Sequence, residues 1–388
     1  MLSSSGENLI ATILKYDTKT TSYKLALLRA INDLVLAYPG IVQFDQDVAI
    51  PLARIAELWA AYYWAFVDQY QPVYQGARAM RDGIERNDIS FRPHLTQLRV
   101  EWEQAIVGKA EPADGFFLFA EMRTPRRRAT YPATVRQAYD RTITAIKEAV
   151  KMPIKYAGAE EWSVFSKPDR LDRLSGSVMP LPGTKLTDIC VVTTASLWNS
   201  FHRLSLYIEA LCLHEWSLFT ESVGQYPQPQ RTRGEVYMLL TARPDNRQPL
   251  TWERNQINIL LAEQVTFVCP WTQKRLTQPH QYDLDHLLPL TVYPINELWN
   301  LLPVDREFNQ RVKRDRVPSQ AKLMEAEPRL AASYLIYSNS ATLNRVIRED
   351  AALRFTGWKD IPDFTAQLAR RAVEFIWEVA ESRYVTRF

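Results

Sequence analysis

Glycine is scarce in this chain, 12 of 388 residues, and there are only three cysteines. Few glycines disfavour a glycine-rich nucleotide-binding α/β fold, and three cysteines make no disulfide framework. No stretch approaches the roughly 18 uncharged apolar residues of a spanning helix, so no membrane partner is expected. The first residues, Met-Leu-Ser-Ser-Ser-Gly-Glu-Asn, lack the basic start and apolar run of a signal peptide. The expectation is a cytoplasmic protein with Cys190, Cys212 and Cys269 as reduced thiols. No Walker loop, dinucleotide fingerprint or HExxH motif occurs. Net charge is nearly absent too: 47 Lys and Arg against 44 Asp and Glu give +3. What is present is a 46% hydrophobic composition, which excludes a disordered chain, and 11 tryptophans, which favour packed helices.

Residues 1–155 read mostly as helix. Leu25, Leu28, Ile31, Leu34 and Val35 recur at helical spacing until Pro39-Gly40. Pro51 opens a second helix with an apolar stripe through Leu52, Ile55, Leu58, Trp59, Tyr62, Tyr63, Phe66 and Val67. At that spacing the aromatic residues belong to a core rather than to a base-stacking platform. Further helices are expected after Pro93 and Pro132. Residues 162–165 and 189–194 look like short strands, and 195–221 like one long amphipathic helix. A polar, proline-rich hinge at 226–233 precedes two more helices. Residues beyond 325 are helical again.

The small net charge conceals an uneven distribution. Residues 123–155 carry nine Lys and Arg against two acidic residues, whereas 1–122 carry 11 against 15. Such a block suits phosphate binding by counterion release, or else a solvated face pairing with the acidic N-terminal part. Its sharpest feature is Arg126-Arg127-Arg128, three adjacent cations that do not all find partners cheaply.

The chemistry lies further on. Residues 282–286 read Tyr-Asp-Leu-Asp-His and alternate as a strand does, with Asp283 and Asp285 on one face. Residues 296–303, ending Leu-Trp-Asn300-Leu-Leu-Pro, look like a returning strand, and 305–316 like a helix. Such a ββα unit, with Asp-His on the first strand, Asn on the second and Asn on the helix, suits one hard divalent cation. The His beside it can deprotonate water for attack on phosphorus. Arg311, Lys313, Arg314 and Arg316 lie beside it in sequence, available to phosphates.

This stretch resembles the HNH nuclease family, the ββα-metal fold, over residues 265–319. His286 to Asn300 is 14 positions and His286 to Asn309 is 23. The tail from Lys313 to Ser319 resembles the segment after the last Asn in the HNH domain of RNA-guided CRISPR nucleases. The Asp-His and Leu-Trp-Asn-Leu-x-Pro elements resemble bacterial defence and restriction nucleases. The resemblance implies Asp285 and Asn309 as ligands of one Mg2+ or Mn2+, His286 as general base, Asn300 as the residue holding the loop and the His orientation, and Lys313 as a phosphate contact. It departs from the family pattern in one extra residue between Asn309 and Lys313. No partner cysteine stands near Cys269, so no structural zinc is expected.

Four parts follow: a helical domain, 1–155, with its basic segment 123–155; a middle α+β region, 156–262; the HNH module, 263–325; and C-terminal helices, 326–388. The fold class is mostly α with small α+β parts. The resemblance implies a metal-dependent endonuclease acting on DNA, as an effector in bacterial restriction or anti-phage defence that answers to a protein partner or nucleotide signal. A homodimer would let paired sites cut both strands. The alternatives are a catalytically inactive DNA-binding or scaffold subunit, and a nuclease that cleaves RNA.

Overall fold

The computed structural model describes residues 6–76, 80–81, 84–85, 88–223, 231–242, 250–293, 296–355 and 361–388. The protein is 62% helical with small sheets, as its composition and periodicity imply. It divides into two compact units, Met1–Pro244 and Asp245–Phe388. The hinge expected at 226–233 lies largely outside the described residues. Among the described residues no helix is long and apolar enough to cross a membrane.

The first unit is built on helices Tyr23–Ala37, Leu52–Tyr63, Arg92–Ile106, Ala133–Lys155 and Ala195–Ser222. The Tyr23–Ala37 helix packs along Ala195–Ser222, and Leu52–Tyr63 packs on Ala133–Lys155. The long Ala195–Ser222 helix starts where Thr194 caps it, its hydroxyl accepting the Leu197 N–H at 3.3 Å. Trp59, Tyr63 and Phe66, expected as core, are fully buried. Trp59 lies with its ring centroid 5.1 Å from Tyr23 and 5.9 Å from Tyr63.

A four-stranded sheet sits among these helices, in the order Asp169–Arg170, Ile189–Thr193, Asp47–Pro51, Val178–Pro180. The Ile189–Thr193 strand was expected; Asp47–Pro51 was not, because its apolar run leads directly into a helix. Residues 162–165, expected as a strand, form a turn instead. Trp162 takes a φ of 60° and donates its N–H to the Lys155 carbonyl at 2.8 Å, closing the end of the preceding helix. Val164 and Phe165 are buried all the same, so the apolar pattern reports burial rather than a ladder.

The second unit holds a two-stranded antiparallel hairpin, Tyr282–His286 and Leu301–Asp305, with His286 opposite Leu301 and Asp285 opposite Leu302. A shorter ribbon pairs Phe267–Val268 with Arg275–Leu276. Helices Thr251–Ala262, Gln320–Asn339, Ala341–Arg354 and Phe364–Ser382 complete it, Gln320–Asn339 packing along Phe364–Ser382. Two expected boundaries shift. The strand expected at 296–303 begins only at Leu301, and Asn300 closes a 3-10 turn, Leu298–Asn300, donating its N–H to the Glu297 carbonyl at 2.9 Å. The helix expected at 305–316 is a single α turn, Arg306–Phe308, that widens into a π turn, Asn309–Lys313.

The aromatic cluster of the first unit sets its stability. Truncation of Trp59 to Ala should cost about 3–5 kcal/mol, measured by urea unfolding followed by circular dichroism; a loss under about 1 kcal/mol would show that this cluster is not the core.

Candidate active site

Alternation along the first hairpin strand sorts its side chains. Tyr282, Leu284 and His286 point into the core, while Asp283 and Asp285 share the opposite, half-buried face. The α and π turns after the second strand lie against that face. Arg306 Nε donates to Asp283 Oδ1 at 3.0 Å, and Gln310 Nε2 to Asp283 Oδ2 at 3.1 Å. The Asn309 side-chain amide reaches Asp283 Oδ2 at 3.5 Å. Asp283, assigned no role from the sequence, therefore lies beside Asn309; its position two residues before Asp285 was the available signal.

Lys313 comes from the far end of the π turn. It is fully buried, and its ammonium donates to the His286 carbonyl at 2.8 Å and to Asp285 Oδ1 at 3.2 Å. Its neighbours are thus the Asp-His backbone and carboxylate, not the open surface where a phosphate was expected. The π turn explains how it gets there. A π turn takes up one more residue than an α turn, and its closing bond runs from the Arg314 N–H to the Asn309 carbonyl at 2.8 Å. The extra residue between Asn309 and Lys313 is absorbed in this way.

Burial pushes the Asp285 carboxyl above its ordinary value, with the Lys313 ammonium pulling it down less strongly. Asp285 Oδ2 is 2.9 Å from that ammonium yet accepts no well-aligned hydrogen bond. A buried carboxylate oxygen with no well-aligned hydrogen bond, with the Asp283 carboxylate and the Asn309 amide on the same side of the hairpin, makes a set of hard oxygens. It fits a hard divalent cation better than a soft one. Among the described residues no three His, Cys, Asp or Glu side chains gather as a metal cage. A bound ion would therefore take most of its ligands from water or phosphate.

His286 is buried, and its Nε2 lies 2.7 Å from Asn296 Oδ1. Asn300, fully buried, fixes the chain that follows. Its Oδ1 accepts the Leu288 N–H at 2.8 Å, its Nδ2 donates to the Leu288 carbonyl at 3.2 Å, and its own carbonyl accepts the Leu287 N–H at 2.8 Å. Asn300 thus holds the loop leaving His286, while the ring contact comes from Asn296, which sequence reasoning missed.

Behind this loop stands a buried polar network. Arg354 Nε donates to Glu297 Oε2 at 3.0 Å, and Asp350 Oδ2 accepts the Leu298 N–H at 2.7 Å. The hydroxyls of Tyr334 and Tyr337 donate to the Trp299 and Leu301 carbonyls at 2.7 and 2.8 Å. Cys269 is buried, and its Sγ accepts the Asp305 N–H at 3.4 Å, tethering the end of the second strand.

The sequence-derived cations divide into two groups. Arg311, Arg314 and Arg316 line a cleft of about 510 Å3 in the second unit. Arg126, Arg127 and Arg128 belong to the first unit, on the short helix Pro125–Arg128. There the expectation of unpartnered arginines fails. Arg127 pairs with Glu121 at 2.8 Å and Arg128 with Asp140 at 2.6 Å, because the folded chain brings acidic residues from the flanking helices alongside. Arg123 is likewise held, 2.7 Å from Glu57. Burial raises the Glu57 carboxyl, but Arg123 and Arg54 together leave it below its ordinary value.

A family model described as HNH endonuclease matches residues 269–319. A second, described as a domain of unknown function, DUF8808, matches residues 3–240. No curated protein and no solved structure matches the chain. An HNH endonuclease module implies nuclease activity and nucleic-acid binding, and such modules typically use a divalent metal ion.

The network behind the loop makes a stability prediction. Arg354→Ala leaves the Glu297 carboxylate buried and without its main counter-charge, which should cost about 3–5 kcal/mol. Chemical denaturation of the variant beside the parent checks this; an unchanged midpoint would mean that the pair does not hold the loop.

Proposed function

Because the chain belongs to the DUF8808 family and carries an HNH endonuclease module, we propose that it is a metal-dependent DNA endonuclease with His286 as its general base. The observation that carries this is the conjunction of Asp285-His286 at the end of one strand with the Asn309 turn against the same hairpin. His286 takes the proton from the water that attacks phosphorus, and Asn296 at Nε2 orients the ring. Asn300 keeps the loop from shifting that ring.

Asp285 and Asn309 would hold one Mg2+ or Mn2+, whose oxygen preference their side chains meet. When bound, such an ion stabilises charge developing on the phosphate and on the leaving 3′ oxygen. Lys313 holds the Asp285 carboxylate and the His286 carbonyl together, so that base and ligand keep their relative positions. Arg311, Arg314 and Arg316 meet the phosphate backbone. Arg126, Arg127 and Arg128 of the first unit are assigned to nucleic-acid binding as well, Arg127 and Arg128 exchanging Glu121 and Asp140 for phosphates. One such site cuts one strand, so a double-strand break takes a homodimer or two successive nicks.

The helical residues 1–155 and the middle region 156–262 serve to sense a protein partner or nucleotide signal. The nuclease module, 263–325, backed by the helices of 326–388, is then the effector of a cytoplasmic restriction or anti-phage defence protein.

One observation favours a second reading. The Lys313 ammonium stands 2.9 Å from Asp285 Oδ2, where it already balances the carboxylate. If neither Mg2+ nor Mn2+ displaces it, the unit is a catalytically inactive DNA-binding or scaffold module.

The test is His286→Ala. Plasmid cleavage in Mg2+ should fall by at least about 100-fold, the scale of a positioned base, and excess chelator should abolish the parental activity. Equal cutting by parent and variant would overturn the assignment.

A further inference from the structure

We propose that the arginine-lined cleft of the second unit is a phosphate-binding subsite for the DNA backbone, with Arg314 as its anchoring cation. This deepens the nuclease reading and rests on it. The cleft, of about 510 Å3, is lined by Arg311, Arg314 and Arg316, by one carboxylate, Asp315, and by Thr291 and Thr386. Three guanidinium groups outnumber the carboxylates of Asp315 in the lining and Glu307 beside it, so the cleft favours an anion.

The three arginines are not equivalent. Arg311 pairs with Glu307 at 2.8 Å, and Arg316 donates to the Val312 carbonyl. Arg314 is exposed and, among the described residues, has no ion-pair or side-chain hydrogen-bond partner. Its fork of donors is left for a ligand, and a phosphodiester matches that fork with two parallel hydrogen bonds.

The backbone singles out the same residue. Arg314 has φ 50° and ψ −123°. The Arg316 N–H closes a turn onto the Lys313 carbonyl at 3.0 Å. These dihedrals, at the second position of a four-residue turn, define a type II′ turn, whose second residue is ordinarily glycine. A large side chain there is strained, and such strain persists only where the surroundings impose it.

Both flanks impose it. Lys313 is held inside by Asp285 and the His286 carbonyl. Val317 is held by the Val385–Phe388 segment, its N–H donating to the Thr386 carbonyl and its carbonyl accepting the Phe388 N–H, each at 3.0 Å. Arg314, between these anchors, is exposed and makes no side-chain hydrogen bond among the described residues. Arg314 lines the cleft and directly follows the lysine that contacts Asp285.

The test uses the full chain in the His286→Ala background, a fluorescently labelled DNA duplex and a salt series read by anisotropy. R314G removes the charge and relieves the strain. It should weaken binding and reduce the slope of log affinity against log salt by about 0.9, the value for one lost phosphate contact. Its melting midpoint should rise by roughly 2–4 °C. R314Q removes the charge and keeps the strain, so it should lose the same slope with the midpoint unchanged. Parental slope and affinity in R314Q would overturn the subsite, whatever R314G does to the fold. The two readings separate. A lost slope in a protein whose His286-bearing parent cuts nothing supports the subsite and sinks the nuclease reading. A cutting parent with an unaltered slope in R314Q does the reverse.

Discussion

The buried Arg354–Glu297 pair is the interaction on which the geometry of the candidate site depends. A two-stranded hairpin with five-residue strands is marginal by itself in water. Its connecting segment from Leu287 to Asn300 carries the two asparagines that define the surroundings of His286. Glu297 fastens that segment to the Ala341–Arg354 helix, and Asp350 of the same helix takes the Leu298 N–H. Tyr334 and Tyr337 of Gln320–Asn339 then hold the carbonyls on either side of Asn300. The position of a catalytic-type loop is thus set by helices that lie after the motif in the chain.

A second constraint acts on the other wall of the site. Lys313 must reach inward to Asp285 and the His286 carbonyl, and the π turn from Asn309 gives it the extra residue to do so. The cost appears at the next residue, where Arg314 adopts a backbone that glycine would take without strain. The buried lysine, the widened turn and the strained arginine are consequences of one requirement: the end of the strand and the end of the turn must meet around a carboxylate.

Much of this was legible in the sequence, and the rest was hidden for physical reasons. The period-two pattern of residues 282–286 predicted the strand and the shared face of Asp283 and Asp285, both of which the structure has. The helical stripe through Trp59 and Tyr63 predicted core, and both are fully buried. Local patterns do not encode partners distant in the chain. Arg354 and Glu297 stand 57 positions apart, so nothing near either announces the pair. The Asn300 turn was read as strand because Leu298-Trp299 is apolar and sheet-like, whereas the Asp350 carboxylate draws the backbone there out of the ladder. The arginine run at 126–128 looked unpartnered for another reason: Glu121 and Asp140 are near in sequence, 6 and 12 positions from their partners, but counting charges does not show which side chains the turn between the helices brings together.

The proposed hydrolytic centre of Asp285, His286 and Asn309 lies in a unit held together by its own helices. The most direct test is digestion of duplex DNA, single-stranded DNA and RNA by the purified full chain, each with Mg2+, with Mn2+ and with chelator. The account predicts cleavage of DNA with a divalent ion present and none with chelator. Undiminished cleavage in chelator, or intact DNA under every condition, would contradict it.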